Sequence, residues 1–187
     1  MTTLVELDRT GFRDRREDIL DVYAEAMQVE RRGAASRRSI LASHEKRAGL
    51  LVLTALDGDA MVGVAYGYLG EPGQWWHDQV SGAMTAGQRT DWLLGAFEVC
   101  ELHVRPALHG TGLGRRLLDE LLQEAAGRTD ARTAVLTTPD AETRARRFYR
   151  IGGWHDLVRQ LVFPGDAREF AVLGRELTRS VADVTSG

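Results

Sequence analysis

The chain has 187 residues, 43% hydrophobic and 27% charged, with a net charge of −3. That describes a single domain able to bury its own core, and the acidic balance opposes general nucleic-acid binding. A lone cysteine, Cys100, excludes an intrachain disulfide and cannot make a zinc site in its apolar run.

The start, MTTLVELDRT, shows no basic segment followed by an apolar stretch, and no apolar run reaches the ~18 residues of a membrane span. The expectation is a cytoplasmic protein with no membrane partner. Thr2 to Leu7 reads as a short first strand. From Gly11 to Gln28, Phe12, Ile19, Leu20, Val22, Tyr23 and Met27 recur at helical spacing. Ser36 reads as the N-cap of a helix that Gly49 stops. Arg31, Arg32, Arg37 and Arg38 crowd this corner, either as a solvated face or as contacts for an acceptor or a phosphate.

LLVLTAL (50–56) and AMVGVAYGYL (60–69) flank Asp57-Gly58, a hairpin signal. Residues 70–91 read as an uninterrupted loop, a length often reserved for function. Within it Trp75 and Trp76 either anchor the loop on the core or line a pocket. Trp92 to Val104 reads as a long apolar strand carrying Glu98 and Glu101. A helix follows from about Leu113 to Gly127, with Leu113, Leu117, Leu118, Leu121, Leu122 and Ala125 on one face. TAVLTT (133–138) is a strand, Pro139-Asp140 opens a second short helix, and Gly152-Gly153 stops it. WHDLVRQLVF (154–163) and REFAVLGREL (168–177) pair across Pro164-Gly165-Asp166. Residues 1–178 form one domain in this reading, and 179–187 a frayed tail. The fold class is mixed α/β, one sheet covered on both faces. The strand–helix–strand unit over 92–138 should carry its two strands in parallel.

Between strand and helix lies His109-Gly110-Thr111-Gly112-Leu113-Gly114. A helix start offers unpaired N–H groups and the positive end of the dipole to an anion. Glycines let the backbone approach a phosphate closely. The spacing fits neither G-x-G-x-x-G nor G-x-x-x-x-G-K-[ST]. It resembles the acetyl-CoA loop of the GNAT superfamily of N-acetyltransferases, [QR]-x-x-G-x-[GA]. Gly112 and Gly114 stand at the two small positions, and His109 where Gln or Arg is usual. Downstream, Ala145, Phe148, Tyr149, Gly152 and Trp154 are similar to that family's A-x-x-[FL]-Y-x-x-x-G-[FW] segment, with Glu142 where Asn is often found.

The resemblance implies a mixed central sheet of about six to seven strands flanked by about four helices. It implies acetyl-CoA as acyl donor, an amine on a small molecule or peptide as acceptor, and direct attack in a ternary complex without a metal. His44, His77 and His155 show no metal spacing. By the same resemblance, backbone groups of Leu102, His103 and Val104 hold the pantetheine arm, and His109, Gly110, Thr111, Gly112, Leu113, Gly114 and Arg115 the pyrophosphate. Tyr149 takes the general-acid position, and Glu98 or Glu101 that of a base. An ammonium at about 10.4 faces a carboxylate at about 4.3, roughly 8 kcal/mol uphill, so a base needs burial or a water relay. Glu98 and Glu101, three apart, point to opposite faces of a regular strand unless a bulge intervenes. Trp75, Trp76 and His77 are expected at the acceptor. Cys100 reads as a buried inert thiol and His103 as a structural histidine that could relay protons. The alternative reading is a CoA-binding regulatory module without catalysis. A homodimer is compatible with either.

Overall fold

The computed structural model describes residues 1–34 and 37–178. Ser36 and the tail 179–187 lie outside the described residues. Seven strands form one mixed sheet in the order β1-β2-β3-β4-β5-β7-β6. The chain divides into two compact units. The first holds Met1–Tyr68 and Val99–Thr129, the second Leu69–Glu98 and Asp130–Thr178.

In the first unit, β1 (Thr3–Leu7) runs antiparallel to β2 (Leu51–Asp57), and β2 pairs antiparallel with β3 (Ala60–Leu69). The Asp57-Gly58 turn lies where the sequence places it. The spacing over 11–28 resolves into two helices, α1 (Arg9–Asp14) and α2 (Arg16–Met27), separated at Arg15. Asp8 caps α1 by accepting from the Gly11 amide at 2.7 Å. After α3 (Arg31–Ala34), the helix expected up to Gly49 is shorter, α4 (Arg38–His44). Phe12, Ile19, Leu20, Val22 and Leu41 from these helices bury against Val52, Met61, Val64 and Tyr66. Five of the seven β2 residues are buried in a row, as expected of a strand covered on both faces. The glycine turn precedes α7 (Leu113–Arg128), whose leucines are buried as the periodicity predicts. Gly127 does not stop this helix, which runs on to Arg128.

The second unit departs furthest from expectation. Residues 70–91 are not an open loop. They hold α5 (Trp75–Ala83), α6 (Ala86–Gln88) with a Thr85–Gln88 capping box, and a π-helical turn over Arg89–Leu93. The strand expected from Trp92 begins only at Phe97, as β4 (Phe97–Val104). β4 and β5 (Thr133–Pro139) are parallel, as the crossover reading requires, with two registered pairs, Phe97–Ala134 and Glu98–Val135. Pro139 belongs to β5, and the short helix after it, α8 (Arg144–Ile151), starts on the Thr143 cap. β6 (His155–Val162) and β7 (Glu169–Glu176) form the final antiparallel pair, and β7 also pairs with β5.

The inserted helices are docked by specific contacts. Val80, Met84, Leu93 and Ala96 bury with Val135, Phe163 and Val172. Gln88 donates to the Leu157 carbonyl at 2.7 Å, and Thr133 to that of Trp92 at 2.9 Å. The Trp92 ring covers Gly174 of β7. A Cβ built on Gly174 would lie 2.7 Å from both Leu157 Cδ1 and Trp92 Cε3. Gly174→Ala should therefore destabilise the protein by about 1–3 kcal/mol, the usual cost of overpacking. Urea unfolding followed by tryptophan fluorescence measures this, and an unchanged midpoint would contradict the packing.

Candidate active site

In the first unit, Pro106–Leu108 form a 3-10 turn, and the chain then enters α7 through Gly110 (φ 84°) and Gly112 (φ 86°). Such positive φ values strain any residue with a Cβ. Yet a Cβ built at either glycine meets nothing within 4 Å. Backbone conformation, not crowding within the protein, selects glycine here, and the space before the turn is open. Gly112 is the N-cap of α7 and no side chain caps the helix. The amides of Leu113 and Gly114 thus start a helix with no carbonyl inside it to receive them. His109 is held in the scaffold, its Nε2 donating to the Val104 carbonyl at 2.9 Å. Thr111 Oγ1 donates to the Leu108 carbonyl at 2.8 Å, closing the turn on itself.

Along β4, Glu98 is buried and Glu101, Leu102 and His103 are half-buried. Glu101 is ion-paired with Arg37 and accepts from His103 Nε2. Arg37 also lies over the Tyr23 ring at 4.4 Å, and Tyr23 meets the His103 ring edge-on at 5.2 Å. Of the four arginines near α3 and α4, Arg31 pairs with Glu17 and Asp21, and Arg38 with Glu17. Arg37 alone of these three meets a β4 carboxylate. Cys100, half-buried, packs on the cluster around Phe12 and Tyr66, so it is shielded rather than presented.

In the second unit, Tyr149 sits on α8 between Phe148 and Trp154, with ring centroids 5.2 and 5.7 Å away. Desolvation pushes its phenol up to about 12, which keeps it protonated and a hydrogen-bond donor. Of the expected acceptor residues, Trp76 serves as an anchor, donating from Nε1 to Thr137 Oγ1 at 3.3 Å. Trp75 is 57% exposed with its ring tilted against Phe163. His77 is buried and lines a pocket of about 220 Å³ with Gly70, Pro72, Leu93, Leu94 and Gly95. Trp76 therefore takes the anchoring alternative, and neither tryptophan lines this pocket, which His77 reaches instead.

The model of the Acetyltransferase (GNAT) family matches residues 16–153. The chain belongs to the GNAT acetyltransferase family. A GCN5-like protein acetyltransferase of Mycobacterium tuberculosis is 34% identical to this GNAT chain over 207 residues, covering 93% of this chain and 97% of that protein. A GNAT-family protein from Desulfovibrio desulfuricans shares its fold with a TM-score of 0.68 at 17% identity, over 95% of this chain and 100% of that one. An acetyltransferase structure from Salmonella typhimurium containing acetyl-CoA gives a TM-score of 0.62 at 19% identity, over 96% of each chain.

Two features of this GNAT chain are absent from the sequence reading. One is the pairing of Glu101 with Arg37, 64 positions earlier. The other is a buried ionic cluster at the root of α8, where Arg146 meets Asp140 and Asp156. Neither has a local signal, since the partners come from separate elements. Among the described residues, no group of three or more His, Cys, Asp or Glu stands where it could hold a metal ion, and no helix is long and apolar enough to cross a membrane.

His44 and His103 are each pushed down to about 4, by burial first. Arg47 and Arg37 add to this for His44, and Arg37 for His103. Both stay neutral in the folded chain, while the unfolded chain takes up protons below about 6.5. Their contribution is therefore complete above about 6.5 and is lost as pH falls towards 4. The urea midpoint should drop between pH 7 and pH 5, by on the order of 1–2 kcal/mol per histidine. His44→Gln should remove part of that drop. A midpoint that stays level over this range would contradict the burial of neutral imidazoles.

Proposed function

We propose that the protein is an acetyl-CoA-dependent N-acetyltransferase acting on an amine. The observation that carries this is the open, uncapped start of α7 on two left-handed glycines, in a chain of the GNAT family. A diphosphate fits there on chemical grounds. The site offers backbone donors and a helix dipole, and lacks a side chain where a phosphate oxygen would come. The turn His109–Arg115 holds the pyrophosphate. Leu102, His103 and Val104, beyond the two registered β4–β5 pairs, offer backbone groups to an extended pantetheine arm, as an added strand would use them.

Acetyl-CoA supplies the acetyl group as a thioester. The acceptor nitrogen forms a bond to the acetyl carbon, the carbon–sulfur bond breaks, and the electron pair leaves with sulfur. Tyr149 acts as the acid by donating a hydrogen bond to that sulfur. The phenol is raised to about 12, so it stays protonated and hydrogen-bonds the departing sulfur as negative charge develops there. The proton lost by the amine goes to a carboxylate of β4, directly or through water. Glu98 is the preferred base, because Glu101 already holds Arg37 and His103 and so acts as an anchor for those side chains. The proton taken by the base is exchanged with water before the next turnover. His77 and Trp75 belong to the acceptor side, and Trp76 fixes their helix.

The relative that shares 34% identity is a protein acetyltransferase, which favours an amine on a protein or peptide as acceptor. A single cysteine, unable to form an intrachain disulfide, is compatible with a reducing cytoplasm, where we place the reaction.

Free-thiol release from acetyl-CoA, screened against peptide N-termini, lysine side chains, polyamines and amino sugars, identifies the acceptor class. With the fastest acceptor, Tyr149→Phe should lower turnover about 10²-fold or more, the usual share of a general acid, while calorimetric affinity for acetyl-CoA stays the same. Full turnover in that variant would remove the acid role. Tight CoA binding with no thiol release across the panel would point to a binding module.

A further inference from the structure

We infer that Arg146 is a positioning residue, a charged clamp that sets where α8 holds Tyr149. This rests on the acid role given to Tyr149 in the proposed function. Helix α8 has only eight residues, too few to hold its shape without tertiary support. An ordinary surface helix gains that support from an apolar stripe. α8 carries only a short one, Ala145, Phe148 and Tyr149, whose two aromatics are half-buried. Its one buried residue is Arg146, 1% exposed and the largest fully buried side chain among the described residues. What fixes the helix on the second unit is therefore a buried charge beside two half-buried rings.

The charge is met from two sides. Nη1 donates to Asp140 Oδ1 at 2.9 Å, and Nη2 to Asp156 Oδ2 at 2.6 Å. Asp140 follows β5 directly, and Asp156 lies in β6. Asp140 is itself fully engaged. Its carboxylate accepts from Arg159 Nε at 2.7 Å and from the Gln160 amide at 2.7 Å, and its own amide donates to the Glu169 carbonyl at 2.9 Å. Gln160 takes a left-handed conformation, φ 57°, where it donates that bond. The guanidinium fork thus grips a rigid anchor in two directions, which fixes both the height and the rotation of α8. A point charge or an apolar residue would fix neither.

Tyr149 is three residues along the same helix, one turn above Arg146. A buried pair of this kind adds less stability than apolar packing would, and its best-attested use is to specify one arrangement. Rotation of α8 about its axis would swing the phenol away from the Trp154 edge. Displacements near 1 Å in reacting groups cost up to about 10²-fold in rate. The sequence pattern A-x-x-F-Y marks Tyr149 but says nothing of position 146.

Two readouts test it. In protein carrying 13C-labelled tyrosine, Tyr149→Phe assigns the Tyr149 resonance. Arg146→Met should shift or broaden that resonance and leave Tyr66 and Tyr68 unmoved. In the thiol-release assay, with the fastest amine of the panel or with water as acceptor if none exceeds it, Arg146→Met should lower kcat about tenfold or more with KM for acetyl-CoA within about twofold. In the Tyr149→Phe background the same substitution should cost less than about threefold, because both changes act through one group. Arg146→Lys, which keeps the charge but not the fork, should fall between. If Arg146→Met does not fold, Asp156→Asn replaces it in both measurements.

An unmoved Tyr149 resonance in a folded variant, or an equal loss of turnover in both backgrounds, overturns the inference. Full turnover in Tyr149→Phe alone overturns the acid role instead, and the resonance then decides by itself whether the clamp sets the place of the phenol.

Discussion

The account depends on a helix that begins on two left-handed glycines with nothing of its own to satisfy its first amides. A buried helix end without partners is costly, and an exposed one is satisfied by water or by a ligand. Here the end is exposed, the dipole points outward and no side chain intrudes. Such an end keeps its place only if α7 cannot shift. Its length of sixteen residues and its unbroken row of buried leucines hold it, together with the close approach of Leu117 to Gly63 of β3. His109 and Thr111 then tie the turn back to the carbonyls of Val104 and Leu108. Apolar burial far from the turn keeps a polar surface in place at its tip.

The second unit uses a different force for the same purpose. α7 buries seven residues, all apolar, while α8 buries one, and that one is an arginine. Apolar packing is strong and close, but it carries no directional bond of its own. An ion pair with fixed geometry is less stabilising and less tolerant of rotation. The helix that presents bare backbone needs only to stay put. The helix that presents one phenol must also keep its angle. Part of the first unit follows the second pattern too, where Glu101, Arg37, His103 and Tyr23 interlock beside β4.

Much of this was legible in the sequence, for reasons that differ by element. The β2–β3 hairpin was marked by Asp57-Gly58 between β-branched runs, and α7 by an uninterrupted apolar period. The glycine turn stood out through its context, a strand before it and the Tyr149 segment after it, since the glycines alone also suit a tight turn. The region 70–96 was misread because its glycines and polar residues hide the apolar period of α5, and because WLLGAF has the composition of a strand. In the fold its two halves do different things. Leu93 enters a core through a π-helical turn, and the strand begins only after Gly95. α8 was marked by its flanks, Pro139-Asp140 and Gly152-Gly153, and by Phe148 and Tyr149, while its buried position is a charge, to which hydrophobic periodicity is blind. Ion pairs such as Arg37–Glu101 and Arg146–Asp140 join residues whose proximity the fold alone creates.

The most direct test of the central claim is a calorimetric titration of coenzyme A into the wild-type chain and into Gly110→Ala and Gly112→Ala. A methyl group at either position meets no atom of the protein, and the left-handed strain costs about 1–2 kcal/mol of stability. The account predicts that the wild type binds coenzyme A and that both variants stay folded but lose at least about tenfold in affinity. Equal affinity in all three proteins would contradict it, because the diphosphate would then be resting somewhere other than on the amides of this turn.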